Sequence, residues 1–209
     1  PQQKSVSNQL DLFADIPDDG KETIKNGASQ SLKTMVHKYE LVDKEEDIKK
    51  LYDFLITNDF VSFDTETTST NAIDAELVGL SFSVKEKEAY YVPVSSNREE
   101  AEKIVNIFKP LYENEEILKI GQNMKYDIEV LANYGVEVRG KMFDTMIAHY
   151  LIQPETRHNM DDMAETYLDY KTIRIEELIG PKGKGQKSMR DLQPSEVYEY
   201  AAEDADITL

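Results

Sequence analysis

From Tyr39 onward the chain alternates short apolar runs with amphipathic stretches, and the spacing of each predicts an element. "YELV" predicts a short strand, and "KEEDIKKLYDFLI" a helix with Ile48, Leu51, Tyr52 and Leu55 on one face. "FVSFDTE" (60–66), "ELVGLSFSV" (76–84) and "AYYVPV" (89–94) predict strands whose short polar connections favour an antiparallel meander. A helix from about Arg98 to Tyr112 follows, with Pro110 expected to kink or shorten it, and then a strand "ILKIGQ" (117–122). The remainder predicts helices at 124–134 closed by Gly135, at 144–152, at 160–168 and from Pro194 onward, with a Gly-rich basic loop "GPKGKGQK" at 180–187. Strands first and helices afterwards suggest a mixed α/β layer domain spanning 38–209. Residues 1–37 are polar and lack periodicity, which predicts a disordered linker or tail interrupted by one apolar island, "QLDLF" at 9–13.

Composition narrows the class. At 209 residues and 40% hydrophobic content the chain can bury one core. It has no cysteine, which removes disulfide frameworks and thiolate metal sites and suits a reducing cytoplasm. No run approaches the ~18 apolar residues of a membrane span, and the N-terminus lacks a signal peptide's apolar core. The sequence starts at Pro1 and stops at Leu209 inside an expected helix, so it reads as a piece of a longer protein truncated at its C-terminus. A net charge of −17 argues against a general nucleic-acid-binding surface, which needs Lys and Arg to displace counterions. Any such contact must be local. Lys182, Lys184 and Lys187 form a local basic patch that reads equally well as a solvated loop.

The chemistry concentrates in acids. In "FDTETTST" (63–70) Asp64 and Glu66 are two apart, so in a strand they project from the same face and repel unless a cation sits between them. A solvated sheet edge is the other reading. On a helical wheel at ~100° per residue, the last helix places Glu196, Glu199, Glu203 and Asp206 in one stripe, read as a solvated face. Asp204 falls on the inward side with Val197, Ala201 and Thr208, and Tyr200 precedes it by one turn. A buried charge there needs a partner. Asp127 shares a face with Val130, Leu131 and Tyr134, although an Asn123 cap and a favourable macrodipole would explain an acid in that first turn equally well. His37, His149 and His158 lack metal-ligand spacing and read as structural or surface residues.

"FDTETTST", "GQNMKYD" and "YEYAAEDAD" resemble the exonuclease motifs of the DEDD superfamily. Their order and the intervening "LVGLSFSV", "ANYGVEVRG" and "FDTM" are similar to the 3′–5′ proofreading domain of bacterial family A DNA polymerases, from about Tyr39 to Leu209. The resemblance implies an α/β, ribonuclease H-like fold, a mixed β-sheet flanked by helices. It implies Asp64, Glu66, Asp127 and Asp204 as ligands of two divalent metal ions (Mg2+, Mn2+ or Zn2+), and Tyr200 as the residue that orients the attacking water. Oxygen-only ligands suit hard ions. Thr65, Asn123, Tyr126 and Arg157 become contacts to a single-stranded DNA 3′ end, Arg157 being equally free to pair with a surface acid. Thr70 and Ile175 stand where the family often has a leucine and an aromatic, so stacking on the terminal bases would be weaker. The expected reaction hydrolyses the 3′-terminal phosphodiester and releases nucleoside 5′-monophosphates.

The residue five positions before the last acid is Glu199, which excludes the histidine type of this superfamily and leaves the tyrosine type. Exoribonucleases resembling ribonuclease D share the catalytic set, so DNA is inferred from the connecting sequence. An inactive structural DNA-binding domain of a polymerase is the further alternative. The resemblance also implies polymerase and 5′ nuclease domains in the parent chain and a cytoplasmic bacterial setting without a membrane. "QLDLF" is similar to the peptide by which bacterial replication proteins bind the sliding clamp, with Gln9, Leu10, Leu12 and Phe13 as its contacts.

Overall fold

A computed structural model describes residues 28–209, and the clamp-like segment Gln9–Phe13 lies outside them. In chain order the first part contains β1 (Gln30–Ser31), β2 (Lys38–Leu41), α1 (Glu45–Leu55), β3 (Phe60–Thr67), β4 (Leu77–Lys85), β5 (Glu88–Pro93) and α2 (Arg98–Glu113). The second part contains β6 (Leu118–Gly121), α3 (Met124–Ala132), β7 (Met142–Asp144), α4 (Thr145–Ile152), α5 (Met160–Leu168), β8 (Tyr170–Lys171), α6 (Ile175–Ile179) and α7 (Pro194–Thr208).

A six-stranded mixed sheet runs in the order β2-β5-β4-β3-β6-β7. The expected meander is there: β3, β4 and β5 pair antiparallel, while β2, β6 and β7 join in parallel at the two edges. β4 is buried along nearly its whole length because both of its faces are covered. On one face Leu80, Phe82 and Val84 pack with Leu51 and Leu55 of α1 and Val105 and Phe108 of α2. On the other, Val78 and Tyr91 pack with Val197 and Ala201 of α7.

Several sequence expectations need correction. α2 continues through Pro110 to Glu113. Pro110 is exposed, so the missing backbone bond falls on the solvent side, while Phe108, Leu111 and Tyr112 hold the last turn against the core. Part of the supposed linker is structured, since Gln30 and Ser31 pair in parallel with Tyr170 and Lys171. The stripe of acids on α7 is also not uniformly solvated. Glu196 and Glu199 are exposed, but Glu203 and Asp206 are buried. Glu203 accepts hydrogen bonds from the Tyr170 hydroxyl and the Ile173 amide, both at 2.6 Å. Asp206 accepts from the Tyr39 hydroxyl and the Lys87 amide, also at 2.6 Å. α7 is walled in on that side as well, and its acids are tolerated there because each carboxylate is paired. Among the described residues no helix is long and apolar enough to cross a membrane.

Candidate active site

β3 brings Asp64 and Glu66 to the face of the sheet that α7 covers. Their register partners on β4 are Ser81 and Gly79, and the Tyr91 ring lies close over Gly79. A bulge between Glu66 and Thr67 ends the regular pairing there and re-aims the strand end. From the facing side α7 presents Asp204. Asp64, Glu66 and Asp204 each offer a carboxylate oxygen within 4.8 Å of the others, a group that could hold a metal ion.

Electrostatics make this arrangement costly without a cation. Enclosure by protein is the largest cause holding all three carboxyls well above their ordinary range, and neighbouring acids add to it: Asp127 and Asp204 for Asp64, Asp64 and Asp127 for Glu66, Glu66 and Glu203 for Asp204. Glu66 Oε1 and Asp204 Oδ1 are buried with no hydrogen-bond partner. Orphaned carboxylate oxygens converging at this spacing fit a hard divalent ion, which would satisfy the oxygens and favour their charged form.

Asp127 stands in the first turn of α3, is buried, and lies outside that ligand group. Its Oδ1 accepts from the Thr65 amide at 3.1 Å and the Thr65 hydroxyl at 2.5 Å. Burial lifts its carboxyl to about 7, and the Thr65 bonds restrain the rise. Thr65 itself is buried between the two β3 acids and is tied to Asp127. The Tyr200 phenol is pushed well up, first by burial and then by Asp204, Glu66 and Asp64. It is therefore neutral near pH 7, able to donate or accept a hydrogen bond but not to act as a strong base.

The remaining sequence candidates are distributed unevenly. The Tyr126 hydroxyl bonds to Thr67 Oγ1 and donates to the Ser69 carbonyl, which fixes it beside the end of β3. Asn123 is exposed in a left-handed conformation (φ 61°, ψ 41°) and does not cap α3 with its side chain, contrary to expectation. Asp144 takes that part, accepting from the Asn123 and Met124 amides at 3.2 and 2.8 Å. Arg157 is highly exposed and lies 3.8 Å from Asp162. Lys182, Lys184 and Lys187 sit on an exposed loop. His149 and His158 form a Nδ1 to Nδ1 contact of 2.8 Å, with Tyr167 3.0 Å from the other nitrogen of His149. A cavity of about 140 Å³ opens between α5 and the end of α7, lined by Gln122, Met160, Met163, Tyr167 and Thr208, and none of the acids lines it. Sequence reasoning missed Asp144, Glu203 and Asp206. An acid directly before an apolar helical run was a readable cap signal for Asp144. Ala201, Ala202 and Ala205 around Glu203 were the available sign of a helix packed on every side.

Together these features define a ribonuclease H-like α/β domain with a buried acidic centre. The family model described as 3′-5′ exonuclease, of the A-type DNA polymerases, matches residues 39–209. The chain is 37% identical to the DNA polymerase I of Pseudomonas aeruginosa over 93% of its length, and 34% identical to that of Borreliella burgdorferi over 99%. It spans 22% of the length of each of these relatives. In structure it resembles Brucella melitensis NrnC (TM-score 0.61, 22% identity, 83% of this chain and 77% of that one). It also resembles Escherichia coli RNase D, an exoribonuclease involved in structured RNA processing (TM-score 0.60, 18% identity, 81% and 42%). The chain belongs to the 3′–5′ exonuclease family of A-type DNA polymerases and is an exonuclease domain of the DNA polymerase I type.

Proposed function

We propose that this domain removes nucleotides from the 3′ end of single-stranded DNA by metal-assisted hydrolysis, releasing nucleoside 5′-monophosphates. The observation that carries the proposal is the convergence of Asp64, Glu66 and Asp204 within 4.8 Å, with orphaned oxygens on two of them. Two divalent ions bound there would supply positive charge for the attacking water and for the departing 3′-oxygen. Asp64, Glu66 and Asp204 are the residues that would hold the metal, and Asp127, engaged by Thr65, would add negative charge beside them. Tyr200 acts as a neutral phenol that orients the attacking water, because its environment keeps the proton on. Tyr126, fixed by Thr67 and Ser69, and the exposed Asn123 stand in the same region as contacts to the terminal nucleotide.

DNA is chosen as substrate because the relatives at 34 to 37% identity are DNA polymerases. The ribonuclease D likeness speaks for the fold alone. With a net charge of −17 the domain holds a strand weakly by itself, and a polymerase domain in the parent chain delivers the end. Matched 5′-labelled DNA and RNA strands, incubated with the domain and Mg2+, decide the substrate. DNA is expected to shorten from its 3′ end at least about tenfold faster, the selectivity a single well-placed discrimination provides. Equal or faster shortening of RNA would overturn the DNA assignment.

A further inference from the structure

We propose that Asp144 is a positioning residue that holds Asp127 in the site. Asp144 ends β7, where its Cα pairs with Gly121 of β6. Its Oδ1 accepts from the Met146 and Ile147 amides at 2.9 and 3.2 Å, an ordinary cap of its own helix α4. The same carboxylate does more. Oδ1 also accepts from the Asn123 amide at 3.2 Å, and Oδ2 accepts from the Met124 amide at 2.8 Å. First-turn amides have no partner inside their own helix, so one side chain satisfies the open ends of α3 and α4 together.

What hangs on the second pair of bonds is the geometry of the acids. Asn123 stands at positive φ, a conformation that asparagine adopts more readily than most non-glycine residues, and the Asp144 bonds to its own amide and the next one anchor that turn. One turn further along α3, Asp127 meets both the amide and the hydroxyl of Thr65. Thr65 stands between Asp64 and Glu66. The edge of the sheet is thereby linked, through Asp144, the start of α3 and Asp127, to the strand that bears the metal-binding acids. Asn123 and Tyr126 are set by the same turn.

The two halves of this carboxylate's work separate experimentally. Asp144→Ser retains a short cap for α4 but lacks the length and the second oxygen needed to reach Met124. Asp144→Ala removes both functions. Amide hydrogen exchange in Asp144→Ser should quicken at least about tenfold at Asn123 and Met124 and stay within about threefold at Met146 and Ile147. In Asp144→Ala both pairs should quicken. The consequence for turnover rests on the exonuclease reading: Asp144→Ser should slow DNA shortening at least about tenfold, but less than about twofold when Asp127 is already alanine. Unchanged exchange at Asn123 and Met124 in Asp144→Ser, or an equal loss of turnover in both backgrounds, would overturn the proposal. If the parent domain cleaves nothing, the exonuclease reading fails and the exchange comparison still decides the link to α3.

Discussion

Asp64, Glu66 and Asp204 are crowded because the strand period puts the first two on one face and α7 brings the third against them. Their protonation carries a stability consequence whose sign follows from proton counts. In the unfolded chain these carboxyls lose protons near pH ~4, whereas the folded protein retains them to higher pH, Asp127 to about 7. The folded state binds more protons over that interval, so in chelator its stability falls as pH rises from about 4 toward about 7. A divalent ion bound there would remove the repulsion that adds to the fall. Thermal melts in chelator should give a lower Tm at about pH 7.5 than at about pH 5.5, and Mg2+ or Mn2+ should raise Tm more at the higher value. A Tm in chelator that climbs across this range, or a metal effect confined to the lower pH, would show that the acids are not enclosed as described.

At the scale of elements, the strands β3 to β5 and the helices α1, α2 and α7 were legible because their apolar positions repeat with the right period. Pairing of polar groups was not. Glu203 and Asp206 fit a solvated stripe on any wheel, and only the tertiary structure reveals Tyr170, Ile173, Tyr39 and Lys87 as their partners. Pro110 does not shorten α2, because its exposed position puts the missing bond on the solvent side. Asp204 was readable because it broke an otherwise apolar face; at Asp144 the sequence carries the cap signal for α4 but not the bonds to the start of α3. Gly79 shows the same limit in a strand. A Cβ there would fall 2.2 Å from the ring of the buried Tyr91, so the ring or the strands must shift. Gly79→Ala should therefore destabilise the domain by about 1–3 kcal/mol, read as a lower denaturation midpoint. An unchanged midpoint would mean that β4 and β5 can separate at no cost.

For the molecule as a whole, the acidic balance and the acidic centre have opposite effects. The net charge of −17 opposes a nucleic-acid backbone, while the acidic centre, if filled by a cation, would attract one phosphodiester. The sequence carried the acids and their order, but not the way Thr65 engages Asp127 or the left-handed Asn123 beside it, which depend on residues about 60 and about 20 positions away meeting in space. Cleavage by the carboxylates of the acidic centre is decided by following a 5′-labelled single DNA strand with the parent domain and with Asp64→Ala under the same Mg2+ concentration. The parent should give progressive one-nucleotide shortening, abolished by chelator and reduced at least about a hundredfold by Asp64→Ala, the loss expected on removing a residue that would hold the metal. An undiminished ladder from Asp64→Ala would contradict cleavage at this centre.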